Sequence, residues 1–400
     1  MDLHSGLPFW LVKSGLPYNY LPLQQNLTTE VLVLGGGISG ALVAHELTEA
    51  GIECTVLDAR TIGLGSTVAS TALLQYELDT PLCELKEKVG LANAARAYHL
   101  CKDSIDALVK ISEKLSADNF EKRDSVYYAA IKKDEKFLKE EFAIRQQQGF
   151  KVRYLDAPAL KQEYGFEAPG AIVSQHGAQV NAYLFAHQLL QYSIGKGIKV
   201  FDRTAAVKIK HHSDGVTVKT GDGFTVNAKK LVYATGFEST RYIDKKVADL
   251  HSTYAIISEN LPQETQFWKE EALLWNTADP YLYMRTTVDK RIICGGRDEK
   301  FYNPVKRDKL IKNKTRQLAK DFNKLFPGIP FKAEFSWTGT FAATRDGLPY
   351  IDTYKKLPNS YFALGFGGNG ITFSQIAAEV ITGLIKGKEN KDAALFSFNR

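Results

Sequence analysis

Four hundred residues, 44% hydrophobic and 24% charged, with a formal net charge of +6, describe an ordinary globular chain long enough for two or three domains. The lysines are scattered, and the densest charged run, KKDEKFLKEEF from Lys132 to Phe142, is as acidic as it is basic. Such charges read as solvated faces and argue against a nucleic-acid footprint.

The N-terminus lacks the apolar core of a signal peptide. The longest uncharged apolar run, Val31 to Ala44, is too short for a membrane span and is broken by glycines. A soluble, cytoplasmic chain is therefore expected. Cys54, Cys83, Cys101 and Cys294 form no CxxC pair and show no metal-ligand spacing, which suits a reducing compartment and predicts no metal site.

The first 27 residues, with SGLPFWLVKSGLPYNYLPL at Ser5 to Leu23, carry no legible chemistry. Their aromatics are expected to lie against the body. Next comes TEVLVLGGGISGALVAHELTEAG, Thr29 to Gly51. Val31 to Leu34 is wholly apolar, as a strand buried on both faces would be. Gly35, Gly37 and Gly40 fill the three positions of G-x-G-x-x-G, and Ile38 to Ala50 has helical spacing. A second strand, IECTVLD, ends in Asp58. Gly35 permits the tight turn, Gly37 lets a pyrophosphate reach N–H groups at the positive end of the helix, and Gly40 lets that helix pack on the strand. Asp58 is placed to accept hydrogen bonds from a ribose. This pattern predicts dinucleotide binding.

RTIGLGSTVASTALLQYE, Arg60 to Glu77, is rich in small and hydroxyl residues. Contacts to phosphate and a flavin ring would use such residues, but a polar surface loop would look the same. Glu84 to Leu115 has helical periodicity, and SVYYAAI at Ser125 reads as a strand. Asn181 is predicted to cap the helix AYLFAHQLLQYSIG. Gly197 to Ala228 alternates like hairpin strands, with Asp-Gly turns at Asp214 and Asp222. KKLVYATG, Lys229 to Gly236, is a strand ending in small residues that let backbone pass close to a nucleotide. YLYMRTTVDKRIICGG, Tyr281 to Gly296, reads as antiparallel strands. LGFGGNGITFSQ, Leu364 to Gln375, crowds four glycines before a helix, more than a turn needs.

These elements together resemble the D-amino-acid-oxidase-like (DAO) family of FAD-dependent oxidoreductases, which includes glycine oxidase and monomeric sarcosine oxidase. VLVLGGGISG, GLGSTVAS, YATG, RDGLPYID and FALGFGGNGITFSQIAAEVI carry the resemblance, in order, from about residue 29 to 385. It implies an α/β fold with two intertwined domains. A Rossmann-like, GR2-type FAD-binding domain would take residues 28–81, 150–236 and 336–400. An antiparallel-sheet substrate domain would take 82–149 and 237–335, with 1–27 as an extension.

The implied cofactor is non-covalent FAD. Its expected contacts are Gly35, Gly37, Ile38, Ser39, Gly40, Asp58, Ala59 and Arg60, then Gly65, Ser66, Thr67, Ser70, Thr71, Leu73 and Leu74. Val207 is expected over the adenine, with Ala234, Thr235, Gly236 and Arg345 near the cofactor. Gly367, Gly368, Asn369, Gly370, Ile371 and Thr372 are expected against the flavin ring, where the following helix presents its positive end to N1.

The family's chemistry removes hydride from the α-carbon of an amine or amino-acid-like substrate to flavin N5, with oxygen or another acceptor taking the electrons. The neutral amine drives this step, so the protein chiefly orients and excludes. The places where relatives hold a carboxylate clamp carry Gln75, Phe341 and Thr372 here, and the place of a flavin-attaching cysteine carries Gly339. Candidate substrate-side residues are Arg285, Tyr254 and His176, with Arg297 as another possible carboxylate partner. Two alternatives stay open. One is a 2-hydroxy-acid or polyol-phosphate dehydrogenase, which needs a base such as His176; the other is a flavin-binding subunit or sensor.

Overall fold

The computed structural model describes residues 1–117 and 119–400. The apolar run at Val31 is the buried half of a longer strand, Leu27–Leu34. It sits in the middle of five parallel strands ordered Leu357–Leu364, Thr225–Tyr233, Leu27–Leu34, Cys54–Leu57 and Lys199–Phe201. Tyr350–Tyr354 closes one edge antiparallel. The hairpin Ala206–His211 and Val216–Thr220 joins Thr225–Tyr233 through the turn at Asp222.

The helix Ile38–Glu49 packs against Ala182–Gly195 on one side and Gly370–Ile385 on the other. That explains its composition: Ala41, Leu42, Val43, Ala44 and Leu47 are all fully buried, because the sheet and two helices cover all but its C-terminal turn, where Glu49 is exposed. Each large aliphatic side chain removed from water there contributes about 1.5–3 kcal/mol. Asn181 caps its helix as predicted, Oδ1 accepting from the Leu184 N–H at 3.1 Å.

The second sheet has ten strands and is mostly antiparallel. Leu273–Asn276 and Phe120–Tyr128 run parallel, an exception to the expected pattern. Its membership also crosses the expected segment limits. Leu73–Gln75, Val152–Asp156, Gly170–Val180 and Ala333–Ala343 pair here and not in the parallel sheet. The extension adds an edge strand, His4–Gly6, to Ala333–Ala343. Its Phe9, Trp10 and Tyr20 are buried, and Trp10 Nε1 donates to the Ser70 carbonyl at 2.7 Å.

The predicted loop from Arg60 to Glu77 holds a helical turn, Ser66–Ala69, and the strand Leu73–Gln75. The helical stretch from Glu84 is two helices, Leu82–Val89 and Leu91–Lys114, divided at Gly90. The charged run at Lys132 is not wholly solvated: Glu141 is fully buried. All four cysteines are free. Among the described residues, no helix is long and apolar enough to cross a membrane.

Candidate functional site

The two glycine clusters, more than three hundred residues apart in sequence, line one cavity of about 420 Å³. It opens at the carboxyl ends of the parallel strands, the usual ligand position in such sheets. From that side it is lined by Gly35, Gly37, Ile38, Ser39, Asp58, Ala59 and Arg60, and by Ala234, Thr235 and Gly236. Gly65, Ser66, Thr67, Ser70, Thr71 and Leu73 form a wall, and Gly367, Gly368, Gly370 and Ile371 line the far end.

The first turn is held by close backbone approach. Gly35 has φ +105°, and a Cβ there would lie 2.4 Å from the Ala234 carbonyl oxygen. A Cβ on Gly40 would sit 1.8 Å from the Gly35 carbonyl oxygen, so Gly40 packs the helix onto the turn from behind and does not line the cavity. Thr67 Oγ1 accepts from the Ile38 N–H at 3.0 Å, fixing the hydroxyl wall against the helix start. Asp58 Oδ2 accepts from the Gly36 N–H at 2.7 Å and Oδ1 from the Arg60 N–H at 2.8 Å. Burial pushes the Asp58 carboxyl above its ordinary value, against the pull of those two bonds.

The C-terminal turn is anchored by side chains. Gly367 has φ +57°. Asp79 Oδ2 accepts from the Gly368 N–H at 2.6 Å while Oδ1 accepts from the Tyr281 hydroxyl at 3.0 Å. A Cβ on Gly368 would meet Asp79 Oδ1 at 2.5 Å and the Tyr281 hydroxyl at 2.9 Å. Asn369 does not line the cavity; its amide donates to the Gln75 and Glu77 carbonyls and ties the turn to the strand Leu73–Gln75. Thr372 is buried, its hydroxyl donating to the Asn369 carbonyl.

Other expectations fall outside the cavity. Leu74 points into the core, because strand alternation gives the cavity Leu73 and Gln75 instead. Val207 is 65% exposed, and Thr204 and Ala206 line the cavity in its place. Arg345 is exposed and does not line it.

The three substrate-side candidates are all displaced. The Tyr254 hydroxyl donates to the Arg307 carbonyl, on the sheet face covered by the helix Pro304–Leu325. Arg285 donates to the Thr71, Ala72, Val180 and Thr286 carbonyls. Through Nε and Nη1 it clamps the wall from behind, and it does not line the cavity. His176 Nε2 lies 2.9 Å from Asp106, in a separate cavity with Lys122, Arg123 and Glu270. Arg297 pairs with Asp321.

Thr253, Tyr281, Tyr283, Asp298 and Phe341 line the cavity beside the C-terminal turn. Burial pushes the Tyr281 and Tyr283 phenols well above their ordinary value. Two signals pointed to them. Tyr281 and Tyr283 share a face at the period of a strand, and the Gly-Gly pair at Gly295 marks a place where ring and backbone crowd. A Cβ on Gly295 would lie 2.3 Å from the Tyr283 hydroxyl.

The family described as DAO, FAD dependent oxidoreductase, matches residues 30–384. The chain is 24% identical to gamma-glutamylputrescine oxidoreductase of Escherichia coli over 91% of this chain and 85% of that one. It is 25% identical to glycine oxidase of Geobacillus kaustophilus over 93% and 97%. The structure of L-proline dehydrogenase from P. horikoshii superposes with a TM-score of 0.79 at 20% identity, covering 93% of this chain and 97% of that one.

Proposed function

The chain belongs to the DAO family of FAD-dependent oxidoreductases, and from that premise we propose that it oxidises a carbon–nitrogen bond of a small amine or amino-acid-like substrate. The observation that carries this reading is the single cavity joining both glycine turns to a wall of tyrosine, threonine and aspartate. Relatives named for amine and amino-acid oxidation support it.

The residues present fit FAD. The cradle at Gly35 and Gly37 is closed to side chains, and the buried Ser66 hydroxyl on the cavity wall has no protein partner. Gly37, Ile38 and Ser39 would hold the pyrophosphate, Asp58 the ribose, and Gly367 to Ile371 the flavin end. Gly339 offers no side chain for covalent attachment, and the Cys294 thiol is buried in the core on the other side of its strand. The cofactor is accordingly held non-covalently. Bound FAD supplies a two-electron acceptor for hydride at flavin N5. The chain's own part is to hold the substrate's carbon against that position and keep water out: Tyr281, Tyr283 and Phe341 form the apolar wall, and Thr253 supplies a hydroxyl.

A carbon–oxygen oxidation would need a base for the hydroxyl proton. His176 lies in the other cavity, and among the described residues no histidine lines this one, so the histidine-based form of that reading finds no base here. Anaerobic mixing with amines, N-methyl amino acids and hydroxy acids tests this: amines are expected to bleach the flavin band. Bleaching by hydroxy acids alone would refute the reading. Asp58→Ala is expected to weaken FAD binding at least about tenfold, given that charge-assisted hydrogen bonds contribute about 1.5–3 kcal/mol. Fluorescence titration of the apoprotein with FAD measures it.

A further inference from the structure

Resting on the amine reading, we propose that Asp298 determines substrate class: on binding, its carboxylate receives the substrate's positively charged nitrogen, and it takes that nitrogen's proton before hydride leaves, so that this site selects cationic amines over substrates bound through a carboxylate.

Backbone geometry aims Asp298. Regular alternation along Ile292–Glu299 would put Arg297 on the cavity side and Asp298 under the helix Pro304–Leu325. The register slips instead, Tyr254 pairing with Gly296 and Ser252 with Glu299, and Arg297 takes φ +58°. This bulge turns Arg297 outward to Asp321 and Asp298 into the cavity.

Among the described residues, no cation pairs with the Asp298 carboxylate. Its buried Oδ1 has no hydrogen bond. Lys314, whose charge acts on Asp298, donates to the Arg297 carbonyl at 2.7 Å and Glu299 Oε1 at 2.6 Å. Among the described residues, the cations that line the cavity are Arg60 and Arg241 alone. Both pair with Glu238, at 2.8 and 3.5 Å, beside Asp58 and away from the C-terminal turn. Gln75, Thr253, Tyr281, Tyr283 and Phe341 complete the substrate end without a positive charge. A buried carboxylate facing a cavity with no counter-charge costs stability unless a ligand supplies one. A carboxylate ligand would meet repulsion there instead.

Burial raises the Asp298 carboxyl to about 7. The groups facing it are Thr253, whose hydrogen bond lowers it, Asp79 and Asp279, which raise it, Lys314, which lowers it, and the Tyr283 and Tyr281 phenols. The phenols are neutral in this range, so the site gains its charge as pH rises through about 7.

The test uses the FAD-loaded enzyme and two nearly isosteric ligands of opposite charge, acetamidinium and acetate, neither oxidisable by hydride loss from an amine. Binding is followed by calorimetry and by perturbation of the flavin spectrum. The wild type is expected to bind acetamidinium at least about tenfold tighter than acetate. That preference should weaken about tenfold for each pH unit below about 7. Asp298→Asn should erase it with FAD content unchanged, and Asp298→Glu should retain part of it. A wild-type preference for acetate, or an Asn variant that keeps the cation preference, overturns the proposal. Failure of every amine to bleach the flavin would instead strike the amine reading, and leave the ligand preference to be judged on its own.

Discussion

Gly40→Val is expected to give a protein that binds FAD at least about a hundredfold more weakly, close to 2.7 kcal/mol, and that unfolds at lower temperature. The new Cβ alone would lie 1.8 Å from the Gly35 carbonyl oxygen and 2.9 Å from its carbon. Both are backbone atoms in the turn, so no side-chain rotation relieves the contact. The helix Ile38–Glu49 must then retreat from its strand, carrying the N–H groups at its start away from the cavity. Because the Ser39 and Ser374 hydroxyls meet at 2.7 Å, that retreat also disturbs the helix that follows the C-terminal turn. Overpacking a core commonly costs about 1–3 kcal/mol, and two valine methyl groups against fixed backbone belong at the upper end. Gly195→Ala is the control: nothing lies within 4 Å of a Cβ there, and FAD affinity should not change.

Arg145→Met is expected to cost about 3–5 kcal/mol of stability at neutral pH, the usual penalty for stripping a buried ion network of one partner. Arg145 is fully buried. Its Nε donates to Glu141 Oε1 at 2.7 Å and its Nη1 to Glu77 Oε1 at 3.3 Å. Glu141 in turn accepts the Leu82 and Cys83 N–H groups that begin the helix Leu82–Val89. Burial alone would raise the Glu141 carboxyl, but Arg145 and those N–H groups hold it below its ordinary value. In the wild type this contribution is present above the ordinary carboxylate range and is lost as pH falls through the lowered folded value. Without Arg145 burial pushes the Glu141 carboxyl upward, so the folded variant takes up a proton sooner than the unfolded chain. The deficit against wild type should therefore narrow as pH falls into the acid range. Thermal unfolding from pH 8 to pH 5 measures both effects. The Glu77 carbonyl also accepts the Asn369 amide, so weaker FAD retention should accompany the loss.

The nucleotide half of the cavity was legible because its signals are local. Gly35, Gly37 and Asp58 sit at fixed offsets around one strand, turn and helix, and the turn has the same requirements wherever it occurs. The substrate half was not, for a geometrical reason. A strand's alternation defines two faces without saying which one is covered. Thr253, not Tyr254, and Leu73, not Leu74, therefore meet the cavity. The bulge at Arg297 reverses that parity within one strand, bringing Asp298 inward where alternation favours its neighbour. The glycines of the C-terminal turn were read from sequence as sites of close approach to a flavin ring. Gly368, however, also makes room for the protein's own Asp79 and Tyr281, which are remote in sequence and announced by no motif. Arg285 illustrates a different limit: an arginine near the cavity can be held by backbone carbonyls, here those of Thr71 and Ala72, of Val180 at the end of another strand, and of Thr286 on its own strand.

The cavity that joins Gly35 to Gly370 is read as the seat of a single dissociable FAD, and its stoichiometry in the purified protein is the most direct check. The protein should carry a visible flavin band, release about one FAD per chain on acid denaturation, and recover the band when FAD is restored to the apoprotein. A colourless protein that takes up no FAD when supplied would contradict the account.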